Sequence, residues 1–463
     1  MEGSGRPGLP LQDSAHGEVS GCPRRSGHPG DEGPEVPGLL GRADRVRQGV
    51  ELRLALVATA ILCGTSHADL PFETIGSVEK LSVPPSPHWV FASDAVNERL
   101  TLIDLDSGRM LGILDGGFGV TTGAYPKTRN EIYVASTHYS RGSRGERTDV
   151  VTIYDATSLA PVDEVVISPK RAINPLPVGN MALSDDDRFL AIFNMTPATS
   201  LSIVDLEKRS FAGEIAIPGC SLAYTAGPRR FASLCSNGAM LLTTVDENGR
   251  ELSKIRSEPF FDPLKDPVTE KAVRYGDVWI FVSFEGWAHP VDLSGDAPVF
   301  LERWSLITDS DRRNHWRVGG YQHLAVHQAT GRLYALVHQG PPDSHKQGGS
   351  EMWIYDLADG RREKRIGLHN PGFTYLGVPI EFGQDWIWPF NGLYGFILDY
   401  LVPDLGIGQI AVTQDDEPLI VTGSNFTGML AIYDGRTGEF RGRVVTGNMT
   451  TLLIQAPWGG ASQ

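Results

Sequence analysis

One motif recurs seven times along this chain and limits its fold more than any other feature. In each copy a short apolar run reaches an aspartate, after which the chain turns and a further apolar stretch follows. The seven copies lie at residues 102–108, 152–155, 202–206, 242–246, 288–293, 353–357 and 431–434. A second apolar run precedes each copy, at 89–92, 132–135, 189–193, 231–234, 278–282, 333–337 and 419–422. Both kinds of run are rich in β-branched and aromatic residues, which is the composition of β-strands.

The repeat predicts an all-β fold, a seven-bladed β-propeller. Each aspartate can accept hydrogen bonds from the backbone of the turn after its strand, and glycines supply positive φ angles there. Most spacings are roughly 40 to 60 residues, which suits one four-stranded blade per unit. Seven units close a ring without an exposed sheet edge. No helical period of 3.6 is sustained, and the paired Gly-His and Trp-Asp signatures of WD40 propellers are missing.

Two segments precede the predicted propeller. Residues 1–45 are rich in Gly and Pro without a hydrophobic period, which indicates a disordered segment or a misassigned translation start. Residues 46–68 combine a basic flank, a short apolar run and a small-residue ending, a pattern typical of a secretory signal peptide. The sequence therefore predicts a periplasmic protein whose propeller spans residues 69–463. N-terminal sequencing of the native protein, expected to begin near Asp69, would check this.

Charge and cysteine content exclude one function and predict one cross-link. The formal net charge of −15 argues against nucleic-acid binding, which needs clustered Lys and Arg. After the predicted signal peptide only Cys220 and Cys235 remain, an even number in an oxidising compartment. Two strand-like runs with turn residues between them separate this pair, so a hairpin would bring the two cysteines together and we expect a disulfide. The Cys-x-x-Cys spacing that would favour a metal site instead is missing.

Three strings within this frame carry a family resemblance. They are residues 112–118, the Arg-rich run at 136–149, and residues 316–323 with His327 and 331–334 behind them. They resemble the heavy chain of the quinoprotein amine dehydrogenases, the methylamine and aromatic amine dehydrogenase family. The resemblance covers about residues 85–460, and Cys220 and Cys235 fall where that family has a disulfide.

The resemblance implies a division of labour between two chains. The family's heavy chain is a seven-bladed propeller, and a small disulfide-rich light chain carries tryptophan tryptophylquinone, so no cofactor is expected on this chain. Two heavy and two light chains form a heterotetramer that oxidises a primary amine to an aldehyde and ammonia and passes the electrons to a small copper protein. The quinone supplies the electron sink. The sequence has no Gly-x-Ser-x-Gly, His-Glu-x-x-His or phosphate-loop motif, and we assign no catalytic, cofactor-binding or metal-binding residue.

Arg141, Arg144 and Arg147 are the first candidates for a partner interface. They alternate with Gly and Glu on a predicted loop between strands, and arginine forks bind carboxylates bidentately. Two interpretations stay open, contact with the partner subunit and bracing between blades. The alternative is a solvated loop whose ion pairs contribute little. We favour an ordered role, because so polar a loop needs partners to hold it.

The second candidate interface is an aromatic insertion at about 369–407 that interrupts the last repeat. Its aromatic residues include Trp386, Trp388, Phe390, Tyr394 and Phe396. So long and aromatic a connection would not stay solvated. We expect it to dock a partner, with a cap folded over the propeller or contact with a membrane surface as alternatives. Deletion of Phe373–Gly406 should then leave a folded propeller but weaken recovery of the partner.

The remaining candidate residues do not support an assignment. His315, His323, His327 and His338 could form a metal cluster, but no carboxylate stands at ligand spacing, so core or surface positions are favoured. The loop Ala95–Arg99 has no aromatic residue where relatives place one at the mouth of the substrate channel, so the amine is not assigned.

Two other functions compete with an amine dehydrogenase subunit: a non-enzymatic periplasmic scaffold or binding propeller, and a propeller hydrolase with a central metal.

Overall fold

Seven small antiparallel sheets follow one another along the chain and form the blades of a β-propeller in the computed structural model. The fold class predicted from the repeat is confirmed. The structure describes residues 80–81, 86–174, 178–369, 373–375, 378–380, 406–424, 428–446 and 453–455. The predictions for segments 1–45 and 46–68, and for the aromatic residues between 386 and 396, lie outside the described residues.

The described strands are numbered in chain order. Blade 1 contains β1 Trp89–Asp94, β2 Arg99–Asp104 and β3 Arg109–Asp115; blade 2 contains β4 Gly123–Ala124, β5 Glu131–Tyr139, β6 Arg147–Asp155 and β7 Pro161–Ile167. Blade 3 contains β8 Met181–Leu183, β9 Phe189–Asn194, β10 Ser200–Asp205 and β11 Ser210–Ala216; blade 4 contains β12 Cys220–Thr225, β13 Arg230–Cys235, β14 Met240–Val245 and β15 Glu251–Arg256. Blade 5 contains β16 Val273–Tyr275, β17 Val278–Val282, β18 Trp287–Asp292, β19 Val299–Phe300 and β20 Trp304–Ser305.

The numbering continues to the C-terminus. Blade 6 contains β21 Trp316–Val318, β22 Leu324–His327, β23 Arg332–Gln339, β24 Glu351–Asp356 and β25 Arg362–Gly367. A separate hairpin, β26 Phe373–Tyr375 and β27 Val378–Ile380, precedes blade 7, which contains β28 Gln409–Val412, β29 Leu419–Gly423, β30 Met429–Asp434 and β31 Phe440–Val445. Within the described residues the last strand is β32 Leu453–Gln455, and one short helix, α1 Asp309–Arg313, begins at a capping box on Thr308.

The two runs recognised in the sequence are the second and third strands of each blade. In blade 3, for example, β9 and β10 pair from Asn194 opposite Ser200 to Phe189 opposite Asp205, and every residue of both strands is buried. The fourth strands are much more exposed, because they form the outer rim of the ring. In six blades the fourth strand pairs through one register shift, a bulge that increases the local twist.

An aspartate ends or directly follows the third strand of every blade and orders the next turn. In each case it accepts the backbone N–H of the residue two positions on: Asp104, Asp155, Asp205, Asp246, Asp292, Asp356 and Asp434. In five turns the residue four positions after the aspartate has a φ between 48° and 71°: Gly108, Leu159, Arg209, Gly360 and Gly438. The role assigned to the repeated aspartate is therefore confirmed.

The ring closes through its C-terminal strand. β32 pairs with β1 and completes blade 1, with Ile454 opposite Ala92. The side-chain amide of Gln322 reaches the same strand: its Nε2 donates to the carbonyl of Ile454 at 2.7 Å and its Oε1 accepts from the amide of Ile454 at 2.8 Å. Apolar side chains of blades 7 and 1 pack beneath this contact, among them Leu430 and Val90.

The predicted disulfide joins Cys220 and Cys235, which lie opposite each other in the hairpin of β12 and β13. Both cysteines are buried, so the bond lies inside blade 4 rather than on its surface. Within the described residues, no helix is both long and apolar enough to cross a membrane.

Candidate partner-binding face

The long and irregular connections of the chain emerge at one end of the ring. In an antiparallel four-stranded blade, successive connections alternate between the two ends. The aspartate turns lie at one end, here called the turn face. Links between second and third strands, and links between blades, lie at the other end, here called the loop face. The arginine loop between β5 and β6 is on the loop face, and the segment between β25 and β28 leaves and re-enters the propeller there.

The arginine loop is a narrow hairpin that projects two cations into solvent. The amide of Arg141 donates to the carbonyl of Arg144, and the amide of Ser140 donates to the carbonyl of Glu146, each at 3.0 Å. Arg141 and Arg144 are exposed, and neither guanidinium forms an ion pair within the described part of the chain. Their assignment to a partner interface remains a prediction that their exposure permits.

Arg147 instead points into the propeller. Its guanidinium binds Asp149 bidentately, at 2.8 and 2.7 Å, and also donates to the carbonyl of Arg171 at 2.6 Å. Asp149 is fully buried and accepts the amide of Arg171 as well. This is the geometry expected of a brace within the chain.

Arg171 extends the brace across two blades. Its guanidinium donates to Thr137 Oγ1 at 3.0 Å and to the carbonyls of Val120 and Phe118 at 3.0 and 3.2 Å. Its backbone forms a bridge with Asn194 at the end of β9. Burial lowers the pKa of Arg171 to about 10, against the raising effect of Asp149, and the group stays cationic at neutral pH. The network ties blade 2 to blade 3 at the loop face.

The loop from Asp94 to Arg99 on the same face is compact. Asp94 is buried, and its carboxylate accepts the amides of Val96 and Asn97 and the side-chain amide of Asn97. Val96 is 64% exposed at the tip. The short loop without an aromatic residue, noted in the sequence, is thus a self-contained turn.

The aromatic insertion is anchored at both ends by backbone contacts. On the return side, Gly349 and Ile407 exchange two backbone hydrogen bonds at 2.7 and 3.0 Å. On the outgoing side, the amide of His369 donates to the hydroxyl of Tyr433 at 2.8 Å. Trp386, Trp388, Phe390, Tyr394 and Phe396 lie outside the described residues, so their assignment as an interface remains a prediction.

A buried polar cluster lies on the inner side of blades 5 and 6, and sequence reasoning missed most of it. Lys271 is 3% exposed, and its Nζ is 3.4 Å from Glu270; burial lowers its pKa. His323 is fully buried 3.3 Å from Thr269 Oγ1, and burial lowers its pKa well below the usual range. His345 stacks on Phe284 at 3.7 Å between ring centroids. Because Thr269–Lys271, Phe284, His323 and His345 come from four separate parts of the chain, no local pattern links them.

The histidines considered for metal binding are dispersed. His327 contacts Thr330 and the carbonyl of Asp415, and His338 contacts the hydroxyl of Ser344 at 2.8 Å. His315 is exposed. Within the described residues, no group of three or more His, Cys, Asp or Glu side chains is arranged to hold a metal ion. The Ser344 hydroxyl donates to the carbonyl of Pro341 at 2.6 Å, which is not the alignment of an activated nucleophile.

Comparison with known proteins finds relatives of this chain over most of its length. The family model described as methylamine dehydrogenase heavy chain matches residues 90–372, more than half of the chain. The methylamine dehydrogenase heavy chain of Paracoccus versutus is 28% identical over 342 residues, which cover 73% of this chain and 71% of that protein. That of Methylophilus methylotrophus is 23% identical over 365 residues, covering 76% and 78%.

Among solved structures, a protein of unknown function from Desulfotomaculum acetoxidans superposes with a TM-score of 0.51 at 11% identity, covering 80% of this chain and 98% of that one. At this identity the likeness concerns the fold alone.

Proposed function

The chain belongs to the methylamine dehydrogenase heavy-chain family, and from that membership we propose that it is the propeller subunit of an enzyme that oxidises primary amines to aldehyde and ammonia. The observation that carries the proposal is the family match over residues 90–372, which spans β1 to β25 and hence blades 1 to 6. In the proposed enzyme a separate light chain carries tryptophan tryptophylquinone, and a small copper protein receives the electrons.

The tryptophan pair that packs together within the described residues is a poor host for the quinone itself. That cofactor forms from two tryptophan side chains, and Trp316 and Trp353 do lie together, 5.3 Å between ring centroids. However, they are only 9% and 0% exposed, and Arg365 covers both rings at 4.7 and 4.8 Å. An amine has no room to reach either ring. The arrangement therefore supports placing the quinone, which supplies the electron sink for amine oxidation, on a partner chain.

We place the light chain on the loop face. Arg141 and Arg144 stand there without an ion pair to any described residue of the chain, and the aromatic insertion begins and ends there. The brace of Arg147, Asp149 and Arg171 holds the base of the arginine loop rigid. A rigid surface would exclude water from the partner's reaction site without supplying an acid or base.

We also propose that the enzyme works in the periplasm, after removal of residues 46–68 as a signal peptide. The Cys220–Cys235 disulfide supports this location, since such bonds persist in oxidising compartments.

The test is co-expression of this chain with a cysteine-rich light chain from the same genome, followed by co-purification and an amine-dependent dye-reduction assay. We expect a quinone-containing complex that reduces dye on addition of methylamine, a longer alkylamine or an arylalkylamine. If no light chain is recovered and no amine reduces the dye, the chain is a propeller scaffold and the proposal is wrong.

A charge-reversal pair tests the loop face separately. The Arg141→Glu and Arg144→Glu double variant should lose the light chain during purification. The matched control, Arg361→Glu with Arg436→Glu, makes the same charge change on two turn-face arginines and should retain it. Deletion of Phe373–Gly406 gives a second loop-face variant. Retention of the light chain by both loop-face variants would move the interface elsewhere and leave the subunit assignment intact.

A further inference from the structure

Blade 5 departs from the other blades at its outer edge. Its fourth strand is broken into β19 and β20, which pair with β18 on either side of His289: Phe300 lies opposite Val291, and Trp304 lies opposite Ala288. Between these pairs the chain leaves the edge of β18. The link from blade 4, residues 259–266, folds over the same place. Together they line an open cavity of about 420 Å³, a size suited to a small organic ligand.

The cavity has aromatic walls. Phe260 and Phe261 line it, with their rings packed edge to face at 4.9 Å between centroids. Phe300 stacks on Phe260 at 4.7 Å between ring centroids. Leu264, the residue before the lining residue Lys265, is 94% exposed. An apolar ligand body would bury surface here, and aromatic faces attract cations.

His289 is a buried polar group in this wall that the proposed function does not use. It lines the cavity and is 7% exposed, and its buried Nε2 has no hydrogen-bond partner within the described residues. Burial lowers the pKa of His289, more than the charge of Asp266 raises it. The ring is therefore neutral at pH 7 and adds no positive charge to the cavity.

The charged groups around the cavity differ in whether other groups of the chain already bind them. Lys265 is neutralised by Asp262, 3.0 Å away, and its side chain is 86% exposed. The guanidinium of Arg303 lies over the ring of Trp287 at 4.7 Å. Asp266 is half-buried and forms no ion pair within the described residues; one of its oxygens accepts the amide of Glu285 at 2.9 Å. Asp266 thus presents a carboxylate that no described cation neutralises, and Arg303, which also forms no ion pair within the described residues, is held against Trp287.

We propose that this cavity binds a compact organic ammonium ion, with its apolar body against the rings of Phe260 and Phe261 and its charged group at Asp266. The site lies on this chain alone and does not depend on the proposed function. Its failure would leave the amine dehydrogenase assignment untouched, because the test measures binding by the full chain without a light chain.

The test uses three probes of nearly equal shape: benzylammonium, benzyl alcohol and benzoate, titrated into the full chain by calorimetry. Benzylammonium should bind about tenfold or more tightly than benzyl alcohol, since hydrogen bonds to a charged group contribute more than neutral ones. Benzoate should not bind. Equal binding of the alcohol would show an apolar pocket without charge recognition, and binding of benzoate in preference would assign the site to Arg303; either result overturns the proposal, as does no binding at all.

Variants locate the bound ion. Asp266→Asn keeps an oxygen for the amide of Glu285 and should weaken benzylammonium binding about tenfold. Asp296→Asn removes a carboxylate from the same blade, at a fully exposed position, and should leave binding unchanged. Phe261→Leu should also weaken binding if the rings hold the apolar body. Unchanged affinity in both Asp266→Asn and Phe261→Leu would overturn the assignment.

Discussion

His88 joins the first blade to the seventh across the point where the ring closes. Its Nδ1 lies 2.9 Å from both carboxylate oxygens of Asp106, and its Nε2 lies 3.1 Å from Asp415 Oδ2. Burial lowers the pKa of His88, but the hydrogen bonds and charges of Asp106 and Asp415 outweigh it, and the net pKa is raised. This contact between blades 1 and 7 is therefore strongest when the imidazole of His88 is protonated.

The raised pKa of His88 determines how this contact contributes to stability as the pH changes. A raised pKa in the folded state contributes stability that is complete below the unfolded value of 6.5 and is lost as pH rises through the folded pKa. His289 and His323 have lowered pKa values and contribute the opposite slope, so the contribution of His88 is measured as the difference in thermal stability between the wild type and His88→Gln. His88→Gln should cost about 1 kcal/mol at pH 6, and this cost should shrink on going to pH 8. A variant with the wild-type slope would show that other groups set it.

Asp149 is the residue on which the loop-face brace depends. Replacing it with Asn leaves the buried Arg171 and the partly buried Arg147 without their shared carboxylate. Removal of one partner from a buried ion pair costs about 3 kcal/mol, so Asp149→Asn should lower the denaturation midpoint clearly. The control is Asp163→Asn. The side chain of Asp163 is 42% exposed and pairs with Arg209, so this change should alter the denaturation midpoint little.

Much of each blade could be predicted from the sequence because the signal is local. A strand, its closing aspartate and the next turn lie within about ten consecutive residues, and the seven aspartates hydrogen-bond as the repeat implied. The hairpin that joins Cys220 and Cys235 could be predicted for the same reason. The broken rim of blade 5 was not, because Phe300 is held by Phe260, forty residues earlier in sequence and in a different connection.

The aspartate turns should make the blades sensitive to acid. Partial burial raises the pKa of Asp434, but the amide of Thr437 and the guanidinium of Arg441 outweigh it and lower the pKa to about 2. A lowered pKa contributes stability that is present above the unfolded value and is lost as pH falls towards 2. Asp434→Ala should cost about 1 kcal/mol at pH 7, and the cost should shrink near pH 2. Urea unfolding at both pH values measures it; an equal cost at pH 2 would contradict the mechanism.

The repeat predicted a closed ring but not how the ring closes. Seven units imply closure, since an open propeller would expose two sheet edges. The closing strand itself, β32, is only three residues long, too short to stand out in the sequence. Its second anchor, Gln322, is 132 residues away from Ile454, and no local pattern marks that pairing. The loop-face network was equally hidden, because Arg171 meets Val120 from 51 residues away.

Removal of the C-terminal strand tests how the ring is held closed. A chain that ends at Leu452 lacks β32, so β1 loses its partners at Phe91, Ala92 and Ser93 and the amide side chain of Gln322 loses Ile454. The freed edge of β1 would be open to pairing with other chains, and we expect lower thermal stability together with aggregation, seen by scanning calorimetry and light scattering. A chain that ends at Gln455 retains all three pairs and is the matched control. If the shorter chain were as stable and as monodisperse as the control, the packing between blades 7 and 1, and not the strand, would hold the ring closed.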